Sequence, residues 1–375
     1  MVSDAKRRSR RSAHLPQELV TEILLRLPVK SLVKFKCVCK EWFTLINDNP
    51  QFAKSQLQQS KSASGFICES SKPGILSYFN LDVEKEEIDF KIEKIVRDIV
   101  IHRDSCNGLL LLQKRNSIHQ YYVCNPITHW HFKLPKFLPG NNVQYLCSSL
   151  VYDDSIHKYK VVITFRKSGK TVLKPATYKC GVFTILGNKH GGCCGSWREL
   201  EMPTAFRVLT RCQPLSANGV LHWMAYRLDQ LDGYILLMDL ASEEFRVISS
   251  PVPPTRWHLF LMEMKGSLLL SNPVSDIELE LWVLNDLVKQ EWSNKSSINI
   301  GSFKVKGKPC PDNSWIYPLL VRENPTSSVI TFLCKFNEES VIYDLDIEQS
   351  KVENKGIGVR GSSGVIAHVN SLISC

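Results

Sequence analysis

Apolar residues recur every four positions near the start of the chain, at Leu15, Leu19, Ile23 and Leu27, with Glu18, Glu22 and Arg26 between them. That spacing predicts one apolar stripe along a helix of about three turns. Pro16 suits a first helical turn, and Glu18 complements the positive end of the helix dipole. Pro28, lacking an amide proton, ends the helix. A second helix is predicted from Lys30 to Val38 and a third from Lys40 through Trp42, Leu45 and Ile46. Residues 50–64 read as a last helix fading into a polar joint. Helices this short make a poor independent core. Leu24, Leu32, Val33, Phe35, Val38 and Trp42 are more apolar side chains than so small a unit readily hides, and surplus apolar surface predicts a partner.

After Gly65 the helical period gives way to short β-rich runs. They include Ile75–Phe79, Leu109–Leu112, Tyr121–Cys124, Val161–Phe165, Tyr178–Leu186, Val220–Met224, Ile235–Met238, Leu268–Leu270, Leu279–Leu284, Val329–Cys334 and Val341–Leu345. Turn chemistry separates them at Asn107-Gly108, Asn125-Pro126, Asn218-Gly219, Asn272-Pro273 and Asn324-Pro325. A loose repeat runs through this body. A turn followed by an apolar strand occurs at Asn107-Gly108, Asn218-Gly219 and Lys265-Gly266, and a later strand ends in a polar turn at Asn125, Asp239 and Asp286. Asn218 to Lys265 is 47 positions, as is Asp239 to Asp286, close to the blade length of a β-propeller. A single blade cannot bury its own faces, so the repeats are expected to stack around an axis as about six or seven blades. The predicted fold is therefore multidomain α + β. Residues 1–13 form a disordered basic leader, 14–60 a small all-α domain, and 61–375 an all-β propeller-like domain.

The chain has 375 residues, 43% hydrophobic and 22% charged, as expected of a folded protein. No apolar run approaches the ~18 residues of a membrane span, and the charged start lacks the apolar core of a signal peptide. An intracellular protein, nuclear or cytoplasmic, is expected. Thirteen cysteines show no C-x-x-C spacing, which argues against a zinc site and for mostly free thiols. The net charge is +10, of which the first 60 residues contribute +6, largely through the cluster Lys6-Arg7-Arg8-Ser9-Arg10-Arg11. Such a run can direct nuclear import or bind phosphates. With no base-stacking aromatics beside it, a solvated leader is the preferred reading and nucleic acid is not an expected partner.

Three runs carry a family resemblance: Leu15-Pro16-Gln17-Glu18-Leu19, Ile23-Leu24-Leu25-Arg26-Leu27-Pro28-Val29-Lys30-Ser31-Leu32, and Phe35-Lys36-Cys37-Val38-Cys39-Lys40-Glu41-Trp42. Together they resemble the F-box in its plant form, with mild departures at Val20, Val33 and Lys34. The body resembles the kelch-like F-box-associated interaction domain, through Ser105-Cys106-Asn107-Gly108-Leu109, Asn125-Pro126-Ile127-Thr128 and Trp197-Arg198-Glu199-Leu200. The resemblance implies docking onto a Skp-type adaptor and, through it, onto cullin and RING subunits of an SCF-type E3 ubiquitin ligase. It implies adaptor contact by Leu15, Pro16, Leu19, Ile23, Leu24, Leu27, Pro28, Leu32, Val33, Cys37, Val38 and Trp42. For Leu24, Val33 and Cys37, internal packing is an equal alternative. The propeller would hold an unidentified protein target, with Arg256, Trp257, His258, Trp315 and Tyr317 as conceivable contacts, although packing between blades is the first reading of each.

Other signals suggest chemistry less well. Gly356-Ile357-Gly358-Val359-Arg360-Gly361 spells a dinucleotide motif but lacks room for the helix and acid the mechanism needs, so a closing strand with glycine turns is preferred. His129-Trp130-His131 would place two imidazoles on one side of a strand, without an evident third metal ligand. Asp153-Asp154 reads as an exposed hairpin turn, and Ser362-Ser363 lacks a nucleophile-elbow setting. No catalytic residue, metal or cofactor is expected. The alternatives are a propeller enzyme or glycan-binding body with the helical module as an appendage, or an adaptor-bound role outside degradation.

Overall fold

The computed structural model describes residues 15–374, apart from 61–63, 70–74, 82–86, 92–99, 115–116, 169–175, 188–192, 210–212, 228–231, 254–258, 276, 302–303, 306–307, 310–314, 324–326, 337–338, 348, 350 and 361–364. The basic leader lies outside the described residues.

Four helices open the chain: α1 (Gln17–Leu25), α2 (Val29–Phe35), α3 (Lys40–Asp48) and α4 (Pro50–Ser60). Pro16 and Pro28 stand immediately before α1 and α2, where a missing amide proton is harmless and the ring pre-sets the backbone. Asn49 caps α4, its Oδ1 accepting from the Phe52 amide at 3.0 Å.

The rest is a six-bladed β-propeller. Blade 1 joins Val365–Val369 to Ser64–Glu69, Ile75–Asn80 and Glu87–Lys91, so the last strand of the chain closes the ring beside the first. Blade 2 is Val100–Cys106, Leu109–Lys114, Tyr121–Cys124 and His131–Lys133, and blade 3 is Val143–Asp153, Lys158–Lys167, Thr177–Thr184 and Trp197–Glu201. In blade 4, Phe206–Val208 and Leu215–Ala217 share the inner edge of Val220–Arg227, followed by Gly233–Asp239 and Phe245–Ser249. Blade 5 is Phe260–Met264, Ser267–Ser275, Glu278–Asp286 and Glu291–Asn299, and blade 6 is Trp315–Glu323, Ser328–Phe336, Glu339–Asp346 and Lys351–Arg360. Innermost strands of blades 1 and 2, 2 and 3, 4 and 5, 5 and 6, and 6 and 1 touch one another.

Strand alternation explains the packing. In blade 2, Leu110 and Leu112 pack with Tyr78 of blade 1, while Leu109 and Leu111 pack with Val161 and Phe165 of blade 3. Leucines in consecutive positions thus serve two interfaces at once. Comparable apolar seams join every other pair of neighbouring blades.

The repeated turns have a backbone reason. Asn107-Gly108, Asn218-Gly219 and Lys265-Gly266 all have positive φ at both residues, as a two-residue hairpin turn between twisted strands requires. The side chains of Asn125, Asp239 and Asp286 each accept hydrogen bonds from two amides that follow within three residues. Two turn assignments differ. Asn272-Pro273 lies inside a strand, at a bulge, with the Asn272 Nδ2 donating to Glu280 Oε2 at 3.0 Å. Asn324-Pro325 is outside the described residues.

Candidate partner-binding surface

Helix α1 has two apolar faces. Val20, Leu24, Leu25 and Leu27 turn inward and join Val29, Leu32, Ile46, Phe52 and Ala53 in a small core. Leu15, Leu19 and Ile23 turn outward and are 59%, 51% and 52% exposed. Leu19 and Ile23, one turn apart, and Leu15 just before the helix form an apolar stripe that no other described residue covers. Pro16, Pro28 and Cys37 are also exposed, as is Val38 at 59%.

The sequence-predicted contact residues therefore separate into groups. Leu24 and Leu32 are 0% exposed and belong to the internal core, so they support the contact surface from beneath rather than forming it. Leu27, Val33 and Trp42 are half-buried and pack against that core, with Trp42 tilted against Phe35 at 5.7 Å between ring centroids. Leu15, Pro16, Leu19, Ile23, Pro28, Cys37 and Val38 are exposed. Phe43, 46% exposed, lies outside the predicted set. Its only sequence signal is an aromatic residue one turn before Asn47, on the polar side of α3.

The electrostatics of the module are mild. Lys36 donates to Asn47 Oδ1 at 2.9 Å; burial lowers its pKa, opposed by the Asp48 carboxylate. Glu41 in the first turn of α3 is held below the usual carboxylate range, chiefly by its own backbone amide and then by Cys39.

The module is fixed to the propeller by the tail after Val369. Asn125 Nδ2 donates to the carbonyls of Ser371 and Ile373, each at 2.9 Å, and the Ser371 hydroxyl donates to Asn107 O at 2.7 Å. Leu372, between the two carbonyls, is buried in the helical core, and Ile127 and Ile373 pack beside it. Helix α4 consequently lies over one end of the propeller. A cleft of about 780 Å³ separates α4 residues Gln51 and Lys54 from the inner hairpins at Asn107, His157 and Asn218.

The remaining chemical signals dissolve into structure. His129 is not strand-borne: it takes φ 63° in a turn, and only His131 lies on a strand, so the two imidazoles do not share a strand face. Among the described residues no group of three His, Cys, Asp or Glu could hold a metal. Asp153 is 2% exposed rather than an open turn residue, and Lys160 Nζ lies 2.8 Å from its Oδ2. Burial raises the Asp153 pKa, but hydrogen bonds from Lys160 and Ser155 outweigh this and hold it low. Residues 356–360 belong to the strand Lys351–Arg360 and pair along blade 6, and the next element is again a strand, not a phosphate-binding helix. Ser362-Ser363, Arg256, Trp257 and His258, and the side chains of Trp315 and Tyr317, lie outside the described residues. Seven described cysteines are free thiols, whereas Cys334 is disulfide-bonded.

Comparison with known proteins matches residues 13–54 to the F-box domain and residues 42–363 to the F-box associated beta propeller domain. F-box protein At5g49610 of Arabidopsis thaliana is 30% identical over 321 residues, covering 79% of this chain and 82% of its own length. F-box protein At1g30790 of the same plant is 29% identical over 310 residues, covering 76% and 75%. Among solved structures, the Dos1 propeller matches with a TM-score of 0.37 at 10% identity, covering 79% of this chain and 67% of that one.

Proposed function

Since the chain belongs to the family of F-box proteins with an F-box-associated β-propeller domain, we propose that it is the substrate-recognition subunit of an SCF-type E3 ubiquitin ligase. The F-box implies a Skp-type adaptor as partner; cullin and RING subunits would follow through that adaptor, inside the cell. The observation that carries this reading is the outward stripe Leu15, Leu19 and Ile23 on a helix whose inner face is already satisfied. Pro16, Pro28, Cys37, Val38 and Phe43 extend the proposed contact surface.

In this role the chain makes and breaks no bond. The propeller holds a target protein, the F-box holds the ligase, and the effective concentration of a target lysine near the ubiquitin-loaded enzyme supplies the rate. Rigidity between the two modules matters for that, and the buried Leu372 anchor supports it.

The test is a pull-down of a Skp-type adaptor by the full chain and by the Leu19→Ala/Ile23→Ala variant. Loss of central anchors at an interface costs about 2 kcal/mol or more, so affinity is expected to fall roughly thirtyfold or further. Undiminished binding by the folded variant overturns the assignment.

A further inference from the structure

Charge is spread unevenly around the ring. Residues 105–198, most of blades 2 and 3, carry thirteen Lys and Arg against two Asp and Glu, or +11. The other propeller residues, 61–104 and 199–375, sum to −7. Both acids of the basic stretch lie at the end that bears the helices: Asp153 is buried against Lys160, and Asp154 lines the cleft under α4. No acid of this stretch reaches the opposite end. Near that end, Glu199 and Glu201 on the outer strand of blade 3 are held by Lys179.

At this far end a turn of blade 2 and the link from blade 2 to blade 3 are stitched into one platform. The Phe137 amide donates to the His119 carbonyl at 3.2 Å. His119 Nδ1 lies 3.0 Å from the Phe137 carbonyl and 2.7 Å from the Tyr145 hydroxyl, and Gln113 Nε2 donates to Ile118 O at 3.0 Å. Phe137 is 2% exposed and fills the space over Gly181, where a Cβ would fall 2.4 Å from its ring. Pro135 and Pro139 stiffen the link on either side. The platform presents Ile118, 49% exposed, and Leu138, 68% exposed. Lys136 is exposed beside them, and Lys167 Nζ reaches the same link, donating to Pro139 O at 3.3 Å. Among the described residues neither lysine forms an ion pair.

We propose that this platform docks an acidic, aliphatic segment of the target protein, a stretch in which Asp or Glu stands next to Leu, Ile or Val. The positive field of blades 2 and 3 draws such a segment in, and Lys136 and Lys167 meet its carboxylates. Exposed ion pairs alone hold a partner weakly. Burial of its aliphatic side chains on Ile118 and Leu138 supplies the rest. Nucleic acid fits less well, because aliphatic side chains give its bases no aromatic face to stack on. This rests on the reading of the propeller as the target receptor, and it defines where and by what chemistry the target is recognised.

The experiment presents the purified full chain to an array of degenerate short peptides and, separately, to a single-stranded DNA oligonucleotide. Captured peptides are expected to be enriched in Asp or Glu together with Leu, Ile or Val, and the binding of the best of them to fall as salt rises. Ile118→Ser/Leu138→Ser should weaken that binding about tenfold. Lys136→Gln/Lys167→Gln should weaken it about fivefold and flatten its salt dependence. Lys295, exposed on the outer strand of blade 5, serves as control, and Lys295→Gln should bind as the parent does. A charge exchange guards against misfolding. Lys136→Glu/Lys167→Glu should lose the acidic peptide and gain its counterpart with Lys in place of the acids, which a misfolded chain would not do. No capture, capture without that enrichment, binding indifferent to either pair of substitutions, or DNA bound in place of peptide overturns the proposal. None of these readouts requires the adaptor, so a failed adaptor pull-down would count against the ligase role alone.

Discussion

Asn125 holds Ser371 across the length of the chain: its Nδ2 donates to the Ser371 carbonyl at 2.9 Å, while its Oδ1 accepts from the amides of Ile127 and Thr128. One side chain thus shapes a blade turn and fastens the tail that carries Leu372 into the helical core. The orientation of the F-box on the propeller depends on a short segment at the end of the chain.

Gly108 makes that dependence testable. It has φ +83°, and a Cβ there would stand 2.1 Å from Ser371 Oγ. Gly219 has φ +73° in the equivalent turn of blade 4, with nothing within 4 Å of an added Cβ. Both Gly→Ala changes cost roughly 1–2 kcal/mol of backbone strain, but only Gly108→Ala must also displace the tail. Hydrogen exchange is expected to quicken across α1–α4 in Gly108→Ala and to stay parental there in Gly219→Ala. Equal protection of the helices in both variants would refute the latch.

Core and contact surface should separate just as clearly within α1. Leu24→Ala removes a 0% exposed side chain and is expected to destabilise the chain by about 2–5 kcal/mol. Leu19→Ala removes one that is 51% exposed and should leave the unfolding midpoint nearly unchanged while weakening adaptor binding. Thermal unfolding beside the pull-down reads both, and a reversed pattern would show that the helix faces are misassigned.

The F-box and the turn grammar are legible because they rest on local rules. Leu15 to Trp42 carries a dense pattern of residue types, and positive φ selects Asn and Gly at the hairpins. What escapes depends on contacts between distant segments. Leu24 and Leu32 count as contact residues through the family resemblance, which does not say which apolar side chains of α1 and α2 turn inward. Asp153 reads as exposed beside a turn, yet Lys160 encloses it, with Glu243 of the next blade on that lysine's other side. Outer strand Glu291–Asn299 has a mostly polar sequence and offers no apolar run. Ring closure pairs Phe66 with Ala367, for which no local pattern exists.

Buried His368 and half-buried Asp104 give the propeller opposing responses to pH. His368 is 2% exposed and hydrogen-bonded through Nδ1 to Ser105 Oγ at 2.8 Å, and burial pushes its pKa down to about 3. The unfolded chain therefore binds the extra proton first, and stability falls as pH drops from about 6.5 toward 3. At pH 5 the loss is about 2 kcal/mol. Asp104 is pushed up to about 7, by burial against hydrogen bonds from the amides of Leu150 and Ser105. Here the folded state binds the proton first, so stability rises as pH falls from about 7 and levels off below the ordinary carboxylate range. Urea unfolding at about pH 5 and about pH 7.5, on either side of the ordinary histidine value, is expected to show His368→Gln less acid-sensitive than the parent and Asp104→Asn more so. The same pH dependence in all three proteins would contradict the assignment.

Lys160 is the other deep charge, and its environment predicts an asymmetric response. Its Nζ lies 2.8 Å from Asp153 and 3.1 Å from Glu243, and it donates to the Leu240 carbonyl. Glu243 is also clamped by both terminal nitrogens of Arg198 at 2.7 Å. Lys160→Met would leave Asp153 buried without its cation while Glu243 keeps Arg198. Removing one member of such a pair costs about 3–5 kcal/mol, mostly as the penalty of the stranded charge. Adding Asp153→Asn removes that charge and should restore part of the stability. The sign of the coupling decides it: a double variant more stable than Lys160→Met alone supports the electrostatic account, and one that is less stable refutes it. Asp153, with its lowered pKa, contributes stability above the ordinary carboxylate range that is lost as pH falls through its folded value. That acid-side loss should therefore shrink in Lys160→Met, which unfolding curves below about pH 5 would detect.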